Sequence, residues 1–211
     1  MKTDLSGYTF LIPARKGSKG VPYKNRKLIN KTIDSIPIKL RDNILISTDD
    51  EVIKQKYNNL KIHNRSEKNS QDISSMKDLM LEIKNDIEIE NIILLYTTYP
   101  ERTFKDILDA VSFYEKNNSS SLLCKKELNV SPFLMMYESG IKGKQIIKHN
   151  LYRRQDYPKC FEISHFVCVF SMKELNKLNN NLYNEDTIFY PIEDVIDVDT
   201  HKDLEKYNEK N

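Results

Sequence analysis

The chain has 211 residues, enough for one domain with a sizeable buried core. Lysine and arginine number 33 against 31 aspartates and glutamates, a net charge of +2. Nothing in that balance pulls the whole molecule toward nucleic acid or an anionic membrane, so any basic chemistry has to be local. The N-terminal M-K-T-D-L-S-G carries an acid and a glycine and lacks the apolar core of a signal peptide, and the longest apolar runs are too short to span a bilayer. Cys124, Cys160 and Cys168 are odd in number, lack C-x-x-C spacing and have no histidine at zinc-ligand spacing. A cytoplasmic protein with reduced, packed thiols, without zinc or membrane insertion, is the expectation.

The first predicted element is a short apolar strand over residues 8–12, which runs into I-P-A-R-K-G-S-K-G-V-P-Y-K-N at 12–25. Gly17 and Gly20 let backbone N–H groups approach an anion, and Arg15, Lys16, Lys19 and Lys24 add full charges. A strand ending in a glycine-containing basic loop has the form of a triphosphate cradle, although the spacing is neither the P-loop nor the dinucleotide fingerprint. A solvated basic turn is the competing reading.

Residues 28–36 can form only a short helix before Pro37. A buried strand at 43–47 follows, then a helix from Glu51 capped by Asp49 or Asp50. A strand at 60–63 precedes a polar loop, 64–72. Ile73, Met76, Leu79, Met80 and Ile83 recur at helical spacing, their methionines being core filler. Residues 91–97 form the most apolar strand, which implies burial on both faces and a parallel sheet. Thr103, with Asp106 three residues on, caps a helix whose buried stripe is Phe104, Ile107, Leu108, Val111 and Tyr114. A strand at 121–125 completes an alternation that argues for a right-handed α/β domain. The pattern then changes to a hairpin around Ser139, Gly140 and Gly143, a polar stretch at 150–158 and a strand at 161–170. Ser171 opens a short helix, 176–184 is a loop, 195–199 is a final short strand, and Thr200 caps the last helix. The whole reads as one domain, 1–211, with an excursion around 130–162.

Ligands of open α/β sheets bind beyond the carboxyl ends of the strands. The loop at 15–25, Thr48 and Asp49, Arg65 and residues 97–102 all follow predicted strands, and Asp197 and Asp199 lie at the end of the last. On a strand those two carboxylates would share a face and repel each other unless a cation lay near, Mg²⁺ being the obvious candidate. A solvated strand end is the alternative. Arg65, Arg153 and Arg154 are either anion clamps or ordinary surface arginines, and His165 reads as a packed histidine rather than a catalyst.

Taken in order, these motifs resemble the CMP-sialic acid synthetases, the acylneuraminate cytidylyltransferases. I-P-A-R-K-G-S-K-G-V-P-Y-K-N is similar to their N-terminal signature, I-S-T-D-D at 46–50 to V-S-T-D-D, and I-D-V-D-T at 196–200 to I-D-I-D-T. H-N-R-S-E around Arg65 is similar to R-P-x-x-L without its proline, D-I-S-S at 72–75 to D-T-A-S, Y-T-T-Y-P-E-R at 96–102 to Q-P-T-S-P-L-R, and R-Q-D-Y-P at 154–158 to R-Q-x-L-P. The resemblance implies a nucleotide-diphospho-sugar-transferase-like fold, three-layer α/β with a mainly parallel sheet, and a homodimer joined through the excursion. It implies Mg²⁺-dependent transfer of CMP from CTP to a 2-keto sugar acid with release of pyrophosphate, for cell-surface polysaccharide.

By that resemblance Arg15, Ser18, Lys19, Lys24 and Asn25 would hold CTP, and Arg65 and Ser75 would contact the nucleoside. Asp197 and Asp199 would bind Mg²⁺, and Arg15, Lys24 and Asp199 would carry the chemistry. The sugar side would take in Tyr96, Thr98, Arg102, Arg154, Gln155, Ser164 and His165, with Arg154 meeting the sugar carboxylate or stabilising a dimer arm. No general base stands out. Departures from the family pattern cluster at residues 96–99 and 164–168, which leads to an acceptor other than N-acetylneuraminate. Two alternatives stand: a metal-dependent glycosyltransferase that grips a nucleotide sugar through D-x-D, and a non-catalytic nucleotide-binding relative.

Overall fold

The computed structural model describes residues 3–128 and 130–210, so Met1 and Lys2 of the signal-peptide reading lie outside the described residues. The strands are β1 (Thr9–Pro13), β2 (Ile44–Thr48), β3 (Lys61–Asn64), β4 (Asn91–Leu94), β5 (Ser121–Glu127), β6 (Met136–Ser139), β7 (Lys142–Gln145), β8 (Phe161–Ser171) and β9 (Ile188–Pro191). The α-helices are α1 (Lys24–Asp34), α2 (Glu51–Lys56), α3 (Met76–Glu82), α4 (Phe104–Asn117) and α5 (His201–Lys210).

Seven strands make one sheet in the order β3-β2-β1-β4-β8-β5-β9. Only β8 runs against its neighbours; the other pairings are parallel. The alternation of side chains along the strands explains the three layers. Phe10 and Ile12 of β1, Ile93 of β4, and Val167 and Val169 of β8 pack on the face covered by α1, α2 and α4. Leu11, Ile92, Leu94, Cys168 and Phe170, their sequence neighbours, pack on the opposite face with Leu79 and Met80 of α3 and with Leu175, Leu178 and Leu182. Strands buried on both faces carry no polar alternation, and for that reason they read as continuous apolar runs.

Local signals place several elements as expected. Asp50 rather than Asp49 caps α2, accepting the Val52 N–H. Thr103 and Asp106 form a reciprocal capping box at α4, and Ser75 and Asp78 form another at α3. Ile73 falls before that cap and is fully exposed, so it is not part of the helical stripe. Helix α1 starts at Lys24, four residues earlier than expected, after Tyr23 in the left-handed region (φ 54°). The segment 195–199 is not a strand. It is held by one backbone bond from Val198 N–H to the Thr98 carbonyl (2.8 Å) and by a tight turn from Asp199 N–H to the Asp197 carbonyl (3.0 Å). The last strand is instead β9, too short and too close to an asparagine-rich loop to announce itself.

The hairpin β6–β7 turns at Gly140 (φ 63°) and stands apart from the main sheet. No helix among the described residues is long and apolar enough to cross a membrane. Cys124, Cys160 and Cys168 are free thiols.

Candidate active site

Strand β1 ends at Pro13, where the chain must leave the sheet, and Arg15 to Tyr23 then cross its carboxyl edge. Asp49 fixes the start of the crossing by accepting the Lys16 N–H (2.7 Å). Asn25 fixes the rest: its Nδ2 donates to the Arg15 carbonyl (2.7 Å), and its Oδ1 accepts from Thr97 Oγ1 (2.5 Å) beyond β4. Arg26 anchors the beginning of α1 through a bidentate pair with the buried Asp50 (2.6 and 2.9 Å). The loop is therefore tied at both ends to β2 and β4.

Helix α1 has no acid in its first turn and begins on a lysine. A cation at the positive end of a helix is unfavourable unless an anion sits beside it. Lys24 Nζ finds one in Asp199 Oδ1 at 2.7 Å. The segment carrying Asp199 is held in place by Ile196 and Val198, which pack with Leu28 of α1 and Tyr207 of α5. Gly20 completes the fit: a Cβ there would lie 1.9 Å from the Asp199 carbonyl oxygen, so only glycine allows the loop and this segment to meet.

Between these parts lies a cleft of about 470 Å³. Arg15, Ser18, Lys19, Lys24 and Asn25 line one side, Arg65 and Tyr96 to Thr98 another, and Asp199 the mouth. Asp72, given no role by its sequence, stands among the cations. One oxygen is 2.5 Å from Arg15 Nη2, the other 2.7 Å from Lys19 Nζ. Hydrogen bonds from Lys19 and Arg15 hold its carboxyl below the usual range. Arg65, half-buried, has a pKa lowered by burial and by the neighbouring Arg15. Two arginines and two lysines converge here, and the carboxylates that meet them occupy positions an anionic ligand would take.

Asp197 lies deeper, with Thr98 and Tyr99 bearing on its carboxylate. Its Oδ1 is buried without a hydrogen-bond partner. Burial raises its pKa, and the charge of Asp199 adds to the effect against Lys24. A hard cation would satisfy that orphaned oxygen, so the pair fits a divalent ion. Among the described residues no cluster of three or more His, Cys, Asp or Glu could supply a full ligand set, and phosphate or water oxygens would have to complete it.

The residues expected on the acceptor side divide. Tyr96 and Thr98 line the cleft. His165 stands behind Tyr96, edge to face at 5.5 Å, and burial lowers its pKa. The register with β5 shifts just here: Leu122 pairs with Val169 but Cys124 with Ser164, so residues 165–168 face a single residue of β5 while Cys168 stays paired with Leu94 of β4. Ser164 is buried and donates to the Tyr99 hydroxyl (3.3 Å). Arg102 does not reach the cleft. It is 3% exposed and donates to the carbonyls of Phe166 (2.6 Å) and Tyr96 (2.8 Å); burial without a carboxylate lowers its pKa to about 10. It braces the floor of the site. Ser75 is committed to its cap, and Ser74 lines the cleft instead. Arg154 and Gln155 lie on an exposed turn, with Arg154 beside a separate 340 Å³ pocket near Tyr157 and Lys159.

The family model for cytidylyltransferases matches residues 9–150, two-thirds of the chain and all of the cation loop. The chain belongs to the cytidylyltransferase family. Among relatives of this cytidylyltransferase-family chain are N-acylneuraminate cytidylyltransferases of Streptococcus agalactiae, serotypes III and Ia, each 27% identical over 210 residues. Those matches cover 92% of this chain and 51% of the relative, so the chain spans about half the length of the curated relatives it matches. In fold it is similar to a CMP:2-keto-3-deoxy-manno-octonic acid synthetase solved with CTP, at a TM-score of 0.67 and 14% identity over 96% of this chain and 97% of the other. A cytidylyltransferase from Leptospira borgpetersenii aligns at a TM-score of 0.56 and 15% identity, over 95% and 84% of the two chains.

Asp72→Asn should tighten binding of inorganic triphosphate roughly fivefold, since exposed ion pairs are individually weak and the variant frees two of them. The gain should shrink as salt is raised. Calorimetry at two ionic strengths checks this, and equal or weaker binding by the variant would contradict it.

Proposed function

We propose that the chain transfers CMP from CTP to the anomeric hydroxyl of a 2-keto sugar acid, releasing pyrophosphate. The observation that carries the reading is the convergence of Arg15, Lys19, Lys24 and Arg65 on one cleft, with Asp199 among its lining residues and Asp197 half-buried within the fields of Asp199 and Lys24. Supporting it are the family match and the relatives' CMP-transferring activities.

The acceptor hydroxyl attacks the α-phosphorus in line and gives up its proton to water, the bond to the bridging oxygen breaks, and pyrophosphate leaves with the electron pair. Arg15 and Lys24 stabilise charge growing on the phosphate oxygens, and Lys19 and Ser18 orient the leaving group. Arg65 grips the nucleoside beside Ser74, and Asn25 holds the loop in register. Asp197 and Asp199 would hold Mg²⁺, which when bound neutralises phosphate charge. Before CTP arrives, Asp199 and Asp72 keep the cations aimed.

Tyr96, Thr98 and His165 are proposed to shape the acceptor side, with Ser164 and Arg102 supporting them from behind. The aromatic pair Tyr96 and His165 makes this wall bulkier than the family pattern, which supports an acceptor other than N-acetylneuraminate, such as another nonulosonic or ulosonic acid destined for capsule or lipopolysaccharide. The reaction is assigned to the cytoplasm. The excursion at 130–162 is proposed as a homodimer arm, bringing Arg154 and Gln155 to a neighbouring site. Val130, Leu134, Met136, Tyr137, Ile141 and Tyr152 are all exposed along it, an apolar surface that suits a second copy.

Purified protein with CTP and Mg²⁺ should release pyrophosphate only when a keto-sugar acid is present, and faster with some other acid than with N-acetylneuraminate. Release without any acid, or none across a panel of such acids, would overturn the reading. N-acetylneuraminate proving the best acceptor would overturn the acceptor assignment alone. Asp199→Ala should lower turnover at least ~100-fold with an unchanged circular dichroism spectrum; near-normal turnover would remove Asp199 from the chemistry.

A further inference from the structure

Residues 64–70 read Asn-Arg-Ser-Glu-Lys-Asn-Ser, without one apolar side chain. Such a segment cannot be fixed by burial and must be held by hydrogen bonds. It carries Arg65 into the cleft. The chain closes on itself from Ser70 N–H to the Ser66 carbonyl (3.0 Å), but that bond alone does not orient it.

The anchor lies outside the cleft. Glu82, the last residue of α3, accepts the Ser66 N–H with one oxygen (2.6 Å) and the Ser66 hydroxyl with the other (2.7 Å). The second oxygen also accepts from Asn69 Nδ2. Asn69 is buried with its Oδ1 unpartnered, and apart from a long contact with the Asp78 carbonyl (3.5 Å) its Nδ2 is held by Glu82. The Asn69 carbonyl then receives Arg65 Nε (2.7 Å), and the next carbonyl, Ser70, receives Arg15 Nη1 (3.3 Å). One carboxylate thus reaches both arginines through two adjacent peptide carbonyls.

Glu82 is itself held. His63 Nε2 lies 3.4 Å from it, and His63 Nδ1 lies 3.0 Å from Ser47 Oγ on β2. This array has the composition of a hydrolytic triad, but Ser47 is completely buried and cannot meet a substrate. It works as a strut from the sheet to the loop.

We propose that Glu82 is the positioning residue for the nucleotide-facing arginines, acting on Arg65 through Asn69 and on Arg15 through Ser70. The inference rests on the reading of the cleft as a CTP site. Glutamine at 82 keeps one acceptor but turns an amide N–H toward groups that already donate, so the loop loses its charged anchor.

The test uses the full chain. Without nucleotide, Glu82→Gln should speed hydrogen exchange at residues 66–70 about tenfold while α4 is unchanged. The Kd and KM for CTP should rise about tenfold through Arg65, whose grip on the nucleoside is equal in ground and transition states, and kcat should fall no more than about threefold, because Arg15 keeps its ion pair with Asp72. In an Arg65→Ala background the same substitution should add no more than about threefold to Kd, the part that passes through Ser70 to Arg15. Ser66→Ala, which deletes one of the two Ser66 donors, should move exchange and Kd the same way by less, and replaces Glu82→Gln should that variant not fold. Unchanged exchange, or a Kd penalty fully additive with Arg65→Ala, overturns the proposal. Wild-type protein that binds no CTP sinks the CTP reading instead, and the exchange result still decides the role of Glu82.

Discussion

A helix that begins on Lys24 beside a loop bearing three more cations is destabilised unless negative charge lies near. The Lys24–Asp199 pair supplies part of it and in doing so joins the first helix to the C-terminal segment. The rest of the site follows from that junction. Gly20 has to be small for the two segments to meet, Leu28 has to be apolar to seat Ile196 and Val198, and Asp197 has to lie beneath, largely shielded from water. Arg15 and Lys19 face the same problem and meet it with Asp72. The carboxylates around the cleft compensate the cations in the absence of a ligand, and a polyphosphate would compensate them better.

The sheet divides the work. The edge formed by β1, β2 and β3 is parallel and carries the cations on its carboxyl-end loops, where an α/β sheet concentrates backbone donors. The antiparallel strand β8 brings a different set: His165 stands against Tyr96 where its register with β5 shifts, and its backbone receives the buried Arg102. A positive charge buried without a carboxylate is unfavourable unless carbonyl dipoles surround it. Arg102 therefore links Tyr96, Phe166 and α1 into one floor beneath the cleft.

Features set by neighbours in sequence were legible in sequence. The capping box of Thr103 and Asp106, the continuous apolar runs of β1, β2 and β4 and the convergence of Arg15, Lys19 and Lys24 depend on spacing that a reader can count. Features set across the fold were not. Asp72 and Glu82 look like ordinary surface acids until β3 and α3 are placed beside the cation loop. Arg102 is placed on the sugar side by resemblance alone, because its burial depends on Phe166 of β8, more than sixty residues away. Residues 195–199 alternate like a strand, as Ile196 and Val198 do bury, but one backbone bond to Thr98 is too little to build a ladder. Arg154 and Gln155 stand on an exposed turn away from the cleft, a placement that no spacing in the sequence announces.

The central claim is that this cluster of cations is built for the triphosphate of a cytidine nucleotide. Calorimetric titration of the unmodified protein with cytidine, CMP, CDP and CTP at one ionic strength tests it most directly. Affinity that climbs with each added phosphate, is greatest for CTP, and exceeds that for UTP is the expected result. CMP binding as tightly as CTP, or CTP no better than UTP, would contradict it.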